Sequence, residues 1–283
     1  MARAAANAGV SVVSTDGELD VTPALDASGG VVVSAGNVAP LTIPLPDGLS
    51  LDTAEKTDSG STVYSADQGS VDVTVDEVVQ GVRVSTVLWD GSQDAFSYTL
   101  PEGVDAAPQP DGSLELTRTE VVEAEGITAE VTATIGSIEP AWAVDANGAE
   151  VSTAYEVAGG VVTQVVDVEN AAFPVVADPT WSLTSPVQVR IRFTRAETAT
   201  IANGGWGATG LTAVCAAAGA AVAGPPGAAA FAAGCFLATG PMVYTAGVAQ
   251  NSKPKRCLEQ FMTFVPLSGV IVGVPWYGTY ACK

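Results

Sequence analysis

The chain has 283 residues, with 31 acidic against 11 basic side chains, no histidine and four cysteines. The net charge of −20 repels phosphate and excludes nucleic acid as the main partner. The lack of histidine excludes Ser-His-Asp, Cys-His and His-ligated metal chemistry, and a hydrophobic fraction of 47% excludes a wholly disordered chain.

From the N-terminus, Met1 to Gly9 lacks the apolar run of about 7–15 residues that a secretory leader needs. Export therefore implies a leader absent from this chain. Residues 1–180 read as a β-rich domain. Val71-Asp72-Val73-Thr74-Val75-Asp76 alternates as a half-buried strand does, with its acids on the outward face. Val82 to Trp89, Phe96 to Leu100, Leu114 to Thr117, Ile127 to Ile135 and Val161 to Val168 are further strands. Asp47-Gly48, Asp90-Gly91, Asp111-Gly112 and Asn147-Gly148 supply tight turns between them. Short strands punctuated in this way predict an antiparallel β-sandwich-like N-terminal domain. Trp142 reads as a core residue closing a β corner. Asp145, Asn147 and Gly148 echo a fragment of a calcium loop whose other ligands are missing. No cofactor or metal is expected, and no carboxylate pair stands out as catalytic.

The ordered set Phe96-x-Tyr98-x-Leu100-Pro101, Asp111-Gly112-Ser113, Pro140-x-Trp142-x-x-Asp145-x-x-Gly148 and Phe173-Pro174-Val175-Val176-Ala177-Asp178-Pro179-Thr180-Trp181 carries a resemblance. It resembles an N-terminal β region of secreted proteins from high-GC Gram-positive bacteria. Those proteins carry short C-terminal modules, including Cys-containing ones, after a Pro-Val-x-x-Asp-Pro-Thr stretch. The resemblance covers roughly residues 40–181 and implies export and a carrier-plus-module plan. It brings no catalytic residues.

The charge sign changes at this stretch. Four basic and 29 acidic residues precede residue 181, giving −25, and seven basic and two acidic residues follow, giving +5. Such asymmetry marks two units with different surfaces. Pro179 biases Asp178 away from helix, so the boundary is placed there, at 1–180 and 181–283. A cleavage near the acid-labile Asp178-Pro179 bond is a further reading of the junction.

Beyond it, Pro186 to Phe193 alternates as a strand, and Thr194-Arg195-Ala196-Glu197 has the form of a capping box opening a short helix that Asn203-Gly204-Gly205 stops. Residues 198–252 then run 55 positions without a charge. The alanines favour helix and Pro225-Pro226 interrupts it, predicting a helical hairpin at about 207–249, with arms near 207–223 and 227–239. Cys215 and Cys235 each lie ten residues from position 225, at matching heights in such a hairpin. That symmetry selects Cys215–Cys235 and Cys257–Cys282 from the three pairings four cysteines allow. Zinc does not fit, because there is neither Cys-x-x-Cys nor histidine. A terminal β-hairpin is expected at about 257–282, turning at Pro266-Leu267-Ser268-Gly269.

The fold expectation is thus mixed and mainly β: a sandwich-like domain followed by a small disulfide-stapled module of helical hairpin and β-hairpin. The functional expectation is a secreted or cell-surface, non-enzymatic protein. Its uncharged C-terminal module would meet a membrane, a cell surface or another copy of itself. Lys253, Lys255 and Arg256 suit anionic lipid heads, and Trp276, Tyr277 and Tyr280 suit an interfacial or glycan contact. The module has the cationic, stapled, charge-poor character of bacteriocin-like peptides. The alternatives are an extracellular hydrolase using paired carboxylates in the β domain, and a purely structural extracellular domain.

Overall fold

The computed structural model describes residues 19–35, 40–66, 69–79, 81–183, 188–205, 207–237, 239–267 and 270–282. Its strands, in chain order, are β1 (Leu19–Pro23), β2 (Val31–Ala35), β3 (Leu41–Ile43), β4 (Glu55–Lys56), β5 (Thr62–Ser65), β6 (Val71–Val78), β7 (Gly81–Leu88), β8 (Ala95–Thr99), β9 (Val104–Pro108), β10 (Leu114–Ala124), β11 (Ile127–Ile138), β12 (Ala143–Val144), β13 (Thr153–Ala158), β14 (Val161–Val166), β15 (Val175–Ala177), β16 (Thr180–Leu183), β17 (Gln188–Phe193), β18 (Cys257–Leu267) and β19 (Val270–Tyr280). The α-helices are α1 (Arg195–Ala202), α2 (Gly207–Leu237) and α3 (Thr239–Asn251). The fold is mainly β with antiparallel sheets and two disulfides, Cys215–Cys235 and Cys257–Cys282.

The chain divides into two compact units. Unit 1 comprises 1–36, 40–116 and 136–184; unit 2 comprises 37–39, 117–135 and 185–283. Unit 2 thus includes most of the β10–β11 hairpin as well as the C-terminal stretch. Unit 1 holds three basic and 25 acidic residues, and unit 2 eight basic and six acidic.

Unit 1 is built around the β4-β5-β6-β7-β16 order, with β15 beside the far half of β7 and β12 beside β15. Separate three-stranded sheets form from β1-β2-β3 and from β13-β14-β8. β16 is flanked by Gly81 and Gly136, where a Cβ would lie 2.0 Å from the Trp181 carbonyl oxygen and 2.2 Å from that of Ser182. Only glycine lets those backbones approach so closely. One expectation fails in β6: Asp72, Thr74 and Asp76 are each only 4% exposed, so this strand is buried on both faces. The alternation does not mark a solvent face because the two aspartates find internal partners, while the Thr74 hydroxyl has none among the described residues. Asp72 accepts from the Trp89 indole at 2.6 Å, and Asp76 from the Ser61 hydroxyl at 2.5 Å.

Unit 2 lays α1, α2 and α3 against one face of the β11-β17-β18-β19 order. Ala129, Val131, Ile191, Phe193, Leu258 and Met262 face Ile201, Val214, Phe231 and Met242 across this core. The capping box of α1 forms as the sequence implies: Thr194 Oγ1 accepts from the Glu197 amide, and Glu197 Oε2 accepts from the Thr194 amide at 2.8 Å. Glu197 Oε1 also accepts from the Thr128 amide at 2.9 Å, so one carboxylate caps the helix and ties it to β11.

The residues of α2 are helical over 31 positions, Pro225 and Pro226 included, although neither proline has an N–H to donate to the preceding turn. Yet the Cα atoms of Cys215 and Cys235 are 6.3 Å apart. A straight helix would place them about 30 Å apart at 1.5 Å per residue. The segment therefore doubles back between the two cysteines, with the double proline at the midpoint. α3 starts two residues after α2 ends and carries Pro241 in its first turn, where a missing N–H costs nothing. Residues 184–187, at the expected start of the β17 strand, and Ser268-Gly269, in the expected hairpin turn, lie outside the described residues. Beyond them the hairpin of β18 and β19 pairs in register from Cys257↔Tyr280 to Leu267↔Val270.

Candidate functional site

Two regions concentrate chemistry, one in each unit. In unit 2 the outer face of α3 presents Gly240, Pro241, Tyr244, Val248 and Asn251, while Met242, Ala246 and Ala249 on the opposite face are buried. Tyr244 is 75% exposed and Val248 49%. No residue of this helix is charged, and Lys253 and Lys255 follow it in exposed positions, where cations also complement the helix C-terminus. Among the described residues, no helix is long and apolar enough to cross a membrane.

The other residues singled out from sequence in this unit are distributed differently. The Arg256 guanidinium is spent on β19: Nε donates to Thr279 Oγ1 at 2.9 Å and Nη2 to the Thr279 carbonyl at 2.7 Å. Alternation along β19 sends Trp276 and Tyr280 to the face away from the helices and Tyr277 toward the core. Trp276 stacks on Phe261 across the strand pair, with centroids 3.9 Å apart. The Arg192 guanidinium lies 4.7 Å from the centre of the Tyr280 ring, whose hydroxyl donates to the Phe193 carbonyl at 3.0 Å. Burial pushes the Tyr277 phenol up to about 12. Cys215 and Cys235 are buried against Gln260, whose Nε2 donates to Cys235 Sγ at 3.1 Å.

In unit 1 the chemistry gathers around Asp178. Its side chain is fully buried between β15 and β16, and the Pro179 carbonyl accepts from the Val84 amide at 2.9 Å. The Asp178-Pro179 stretch is therefore part of the interior. Asp178 Oδ2 accepts from Thr180 Oγ1 at 2.8 Å and Oδ1 from the Trp142 amide at 3.1 Å. Arg83 donates through Nε to Thr180 Oγ1 at 3.2 Å and lies 5.5 Å from the Trp142 ring centre. Burial pushes the Asp178 carboxyl up to about 7, against the smaller lowering by the Thr180 and Trp142 hydrogen bonds and by Arg83. Burial also pushes the Tyr98 and Tyr155 phenols well up, with the charge of Asp178 adding to both.

Asp145 serves as a turn residue. Its carboxylate accepts from the amides of Asn147, Ala149 and Ala172, bonds that hold it below the usual range. Among the described residues, no group of three or more Cys, Asp or Glu side chains could hold a metal ion. A surface cavity of about 610 Å³ is lined in part by Pro44, Leu45, Pro46, Leu49 and Pro101, with Asp26 and Asp47 contributing carboxylates. Both carboxylates already accept hydrogen bonds, from Ser28 and Thr99.

Sequence reasoning passed over Tyr244 and Val248, which sit inside the uncharged run with nothing local to mark them as outward. It placed a boundary at Asp178-Pro179 and did not mark Asp178 as a buried residue. The available signal was its place among apolar neighbours, Val175-Val176-Ala177 before it and Trp181 after. Comparison of the chain with protein-family models, with curated proteins and with solved structures finds no match in any of the three.

Proposed function

We propose that this is a secreted, non-enzymatic association protein whose unit 2 docks peripherally on an anionic lipid surface through the outer face of α3 and Lys253 and Lys255. The observation that carries the reading is the exposure of Tyr244 and Val248 on a helix without charge, followed directly by two exposed lysines. Apolar groups enter the headgroup layer while lysines meet lipid phosphates. The two disulfides are compatible with an extracellular setting.

A hydrolytic reading has less support. Asp178, whose carboxyl burial pushes up to about 7, is fully buried and so presents no carboxyl to a substrate.

The test is co-sedimentation of the full chain with vesicles of phosphatidylglycerol and phosphatidylcholine, against phosphatidylcholine alone. Binding to the anionic vesicles is expected. At about 1 kcal/mol per lysine, a Lys253→Gln/Lys255→Gln variant should bind about 30-fold more weakly. Tyr244→Ser should weaken binding to both vesicle types. Absence of binding to either vesicle, or a dimer in solution that the α3 substitutions abolish, would overturn the lipid reading.

A further inference from the structure

The inner face of the β13-β14-β8 sheet in unit 1 carries three polar side chains that register makes neighbours. Tyr155 lies directly opposite Gln164, and Tyr98 lies opposite Val162, two residues along the same face. Gln164 and Tyr98 are fully buried. Gln164 Nε2 reaches Thr153 Oγ1 at 3.2 Å and the Trp142 carbonyl at 3.4 Å, but its Oε1 has no partner among the described residues. Among the described residues the hydroxyls of Tyr98 and Tyr155 have none either, nor has the indole N–H of Trp181, whose ring packs edge-on against Tyr98 at 6.3 Å. Trp142 links this set to Asp178: its carbonyl accepts both the Gln164 amide and the Asp178 amide, and its own amide donates to the Asp178 carboxyl.

A buried polar atom left unpaired gives up its hydration with nothing in return, so four together would weigh heavily against the folded unit. We propose that unit 1 binds a small cluster of ordered water molecules on this face, held by Gln164 Oε1, the Tyr98 and Tyr155 hydroxyls and the Trp181 indole.

The chemistry of the lining selects water over other small ligands. Gln164 Oε1 only accepts, the Trp181 indole only donates, and the tyrosines do either. A cation would face the Trp181 N–H and the nearby Arg83. An anion would face Gln164 Oε1 and the Asp178 carboxyl. Water meets all of them, and polar sites of this kind are where buried water is found. The charged and titratable groups facing Asp178 are Arg83 from β7, Glu139 from the segment before β12, and the two tyrosines from β8 and β13.

The test is oxygen-17 water relaxation dispersion on the full chain, paired with thermal unfolding, for the parent protein, Tyr98→Phe and Tyr155→Phe. Long-lived internal water should be seen in the parent. Its dispersion amplitude should fall in each Phe variant, and Tm should fall too, because the water loses a partner. Equal amplitudes in all three proteins, or a higher Tm in the Phe variants as in a dry interior, would overturn the proposal. So would a Tm that depends on exchanging sodium for a bulky organic cation, which would place a metal cation there instead.

Discussion

In unit 1 the buried layer contains carboxyl groups. Asp72, Asp76 and Asp178 are at most 4% exposed, and each is held by hydrogen bonds from Trp89, Ser61, or Thr180 and Trp142. No cysteine lies in this unit. In unit 2 the core is apolar, and Glu197 is the one buried charged residue among the described residues. Both disulfides are there. The difference follows from composition. Unit 1 is rich in β-branched residues that make long ladders, so polar groups can be satisfied inside it. The helical part of unit 2 is alanine and glycine, whose small side chains bury little apolar area each, and covalent links compensate by restricting the unfolded chain.

The comparison breaks most visibly at Asp178. Its folded-state carboxyl is raised from 3.8 to about 7. As pH rises above about 4 the unfolded chain ionises this group while the folded unit keeps the proton, so stability contributed by the neutral form is complete at low pH and declines until about pH 7. Three units at 1.36 kcal/mol each amount to about 4 kcal/mol. Asp178→Asn removes that dependence. Denaturant unfolding between pH 4 and 8 should show the parent losing stability in unit 1 across this window and the variant holding nearly constant. A parent profile as flat as that of the variant would mean that Asp178 ionises as readily inside as outside.

The next largest effect belongs to unit 2. Cys215→Ser/Cys235→Ser opens a link spanning 20 residues, which should cost about 3 kcal/mol. The two hydroxyls can share hydrogen bonds with Gln260, so the loss reports the cross-link more than a buried polar penalty. Hydrogen exchange followed by mass spectrometry should show faster exchange in α2 and α3 and none of that change in β6, β7 or β16. In the parent, mild reduction should open Cys257–Cys282 first, because Cys282 is partly exposed whereas Cys215 and Cys235 are buried.

The two units also differ in how much of them can be read in advance. β6, β7, β8, β10, β11 and β14 show in their β-branched runs and Asx-Gly turns because those signals are local, whereas β9, β12 and β13 are not expected from the sequence. The cysteine pairing shows because two positions equidistant from a proline pair fix a geometry. What stays hidden is set by long-range packing. The alternation of Val71 to Asp76 is the same whether one face meets water or another layer, and only the arrival of Trp89 and Ser61 decides it. The Asp178-Pro179 pair carries a local signal for a chain break, and the neighbouring strand β7 overrides it. On α3, Tyr244 and Met242 are both large and uncharged, and their opposite burial follows from which side of the helix meets β18 and β19.

The smallest effect tests where unit 2 departs from its own pattern by burying a charge. Thr194→Ala removes the hydroxyl that accepts from the Glu197 amide and should cost about 1 kcal/mol, the usual price of a lost N-cap. Glu197→Ala should cost more, because it leaves the amides of Thr128 and Thr194 without their acceptor and frees α1 from β11. If Glu197 acts only as a helix cap, the two substitutions together should cost little more than Glu197→Ala alone, since each undoes the same box. If its bond to Thr128 is an independent tether, the Glu197→Ala loss should persist nearly unchanged in the Thr194→Ala background. The bond geometry favours the second outcome: Oε1 serves β11 and Oε2 serves the helix, so removing the cap leaves the tether in place. A double-mutant cycle by denaturant unfolding separates the two, and a coupling energy as large as the Thr194→Ala loss itself would show that the buried charge belongs to the helix alone.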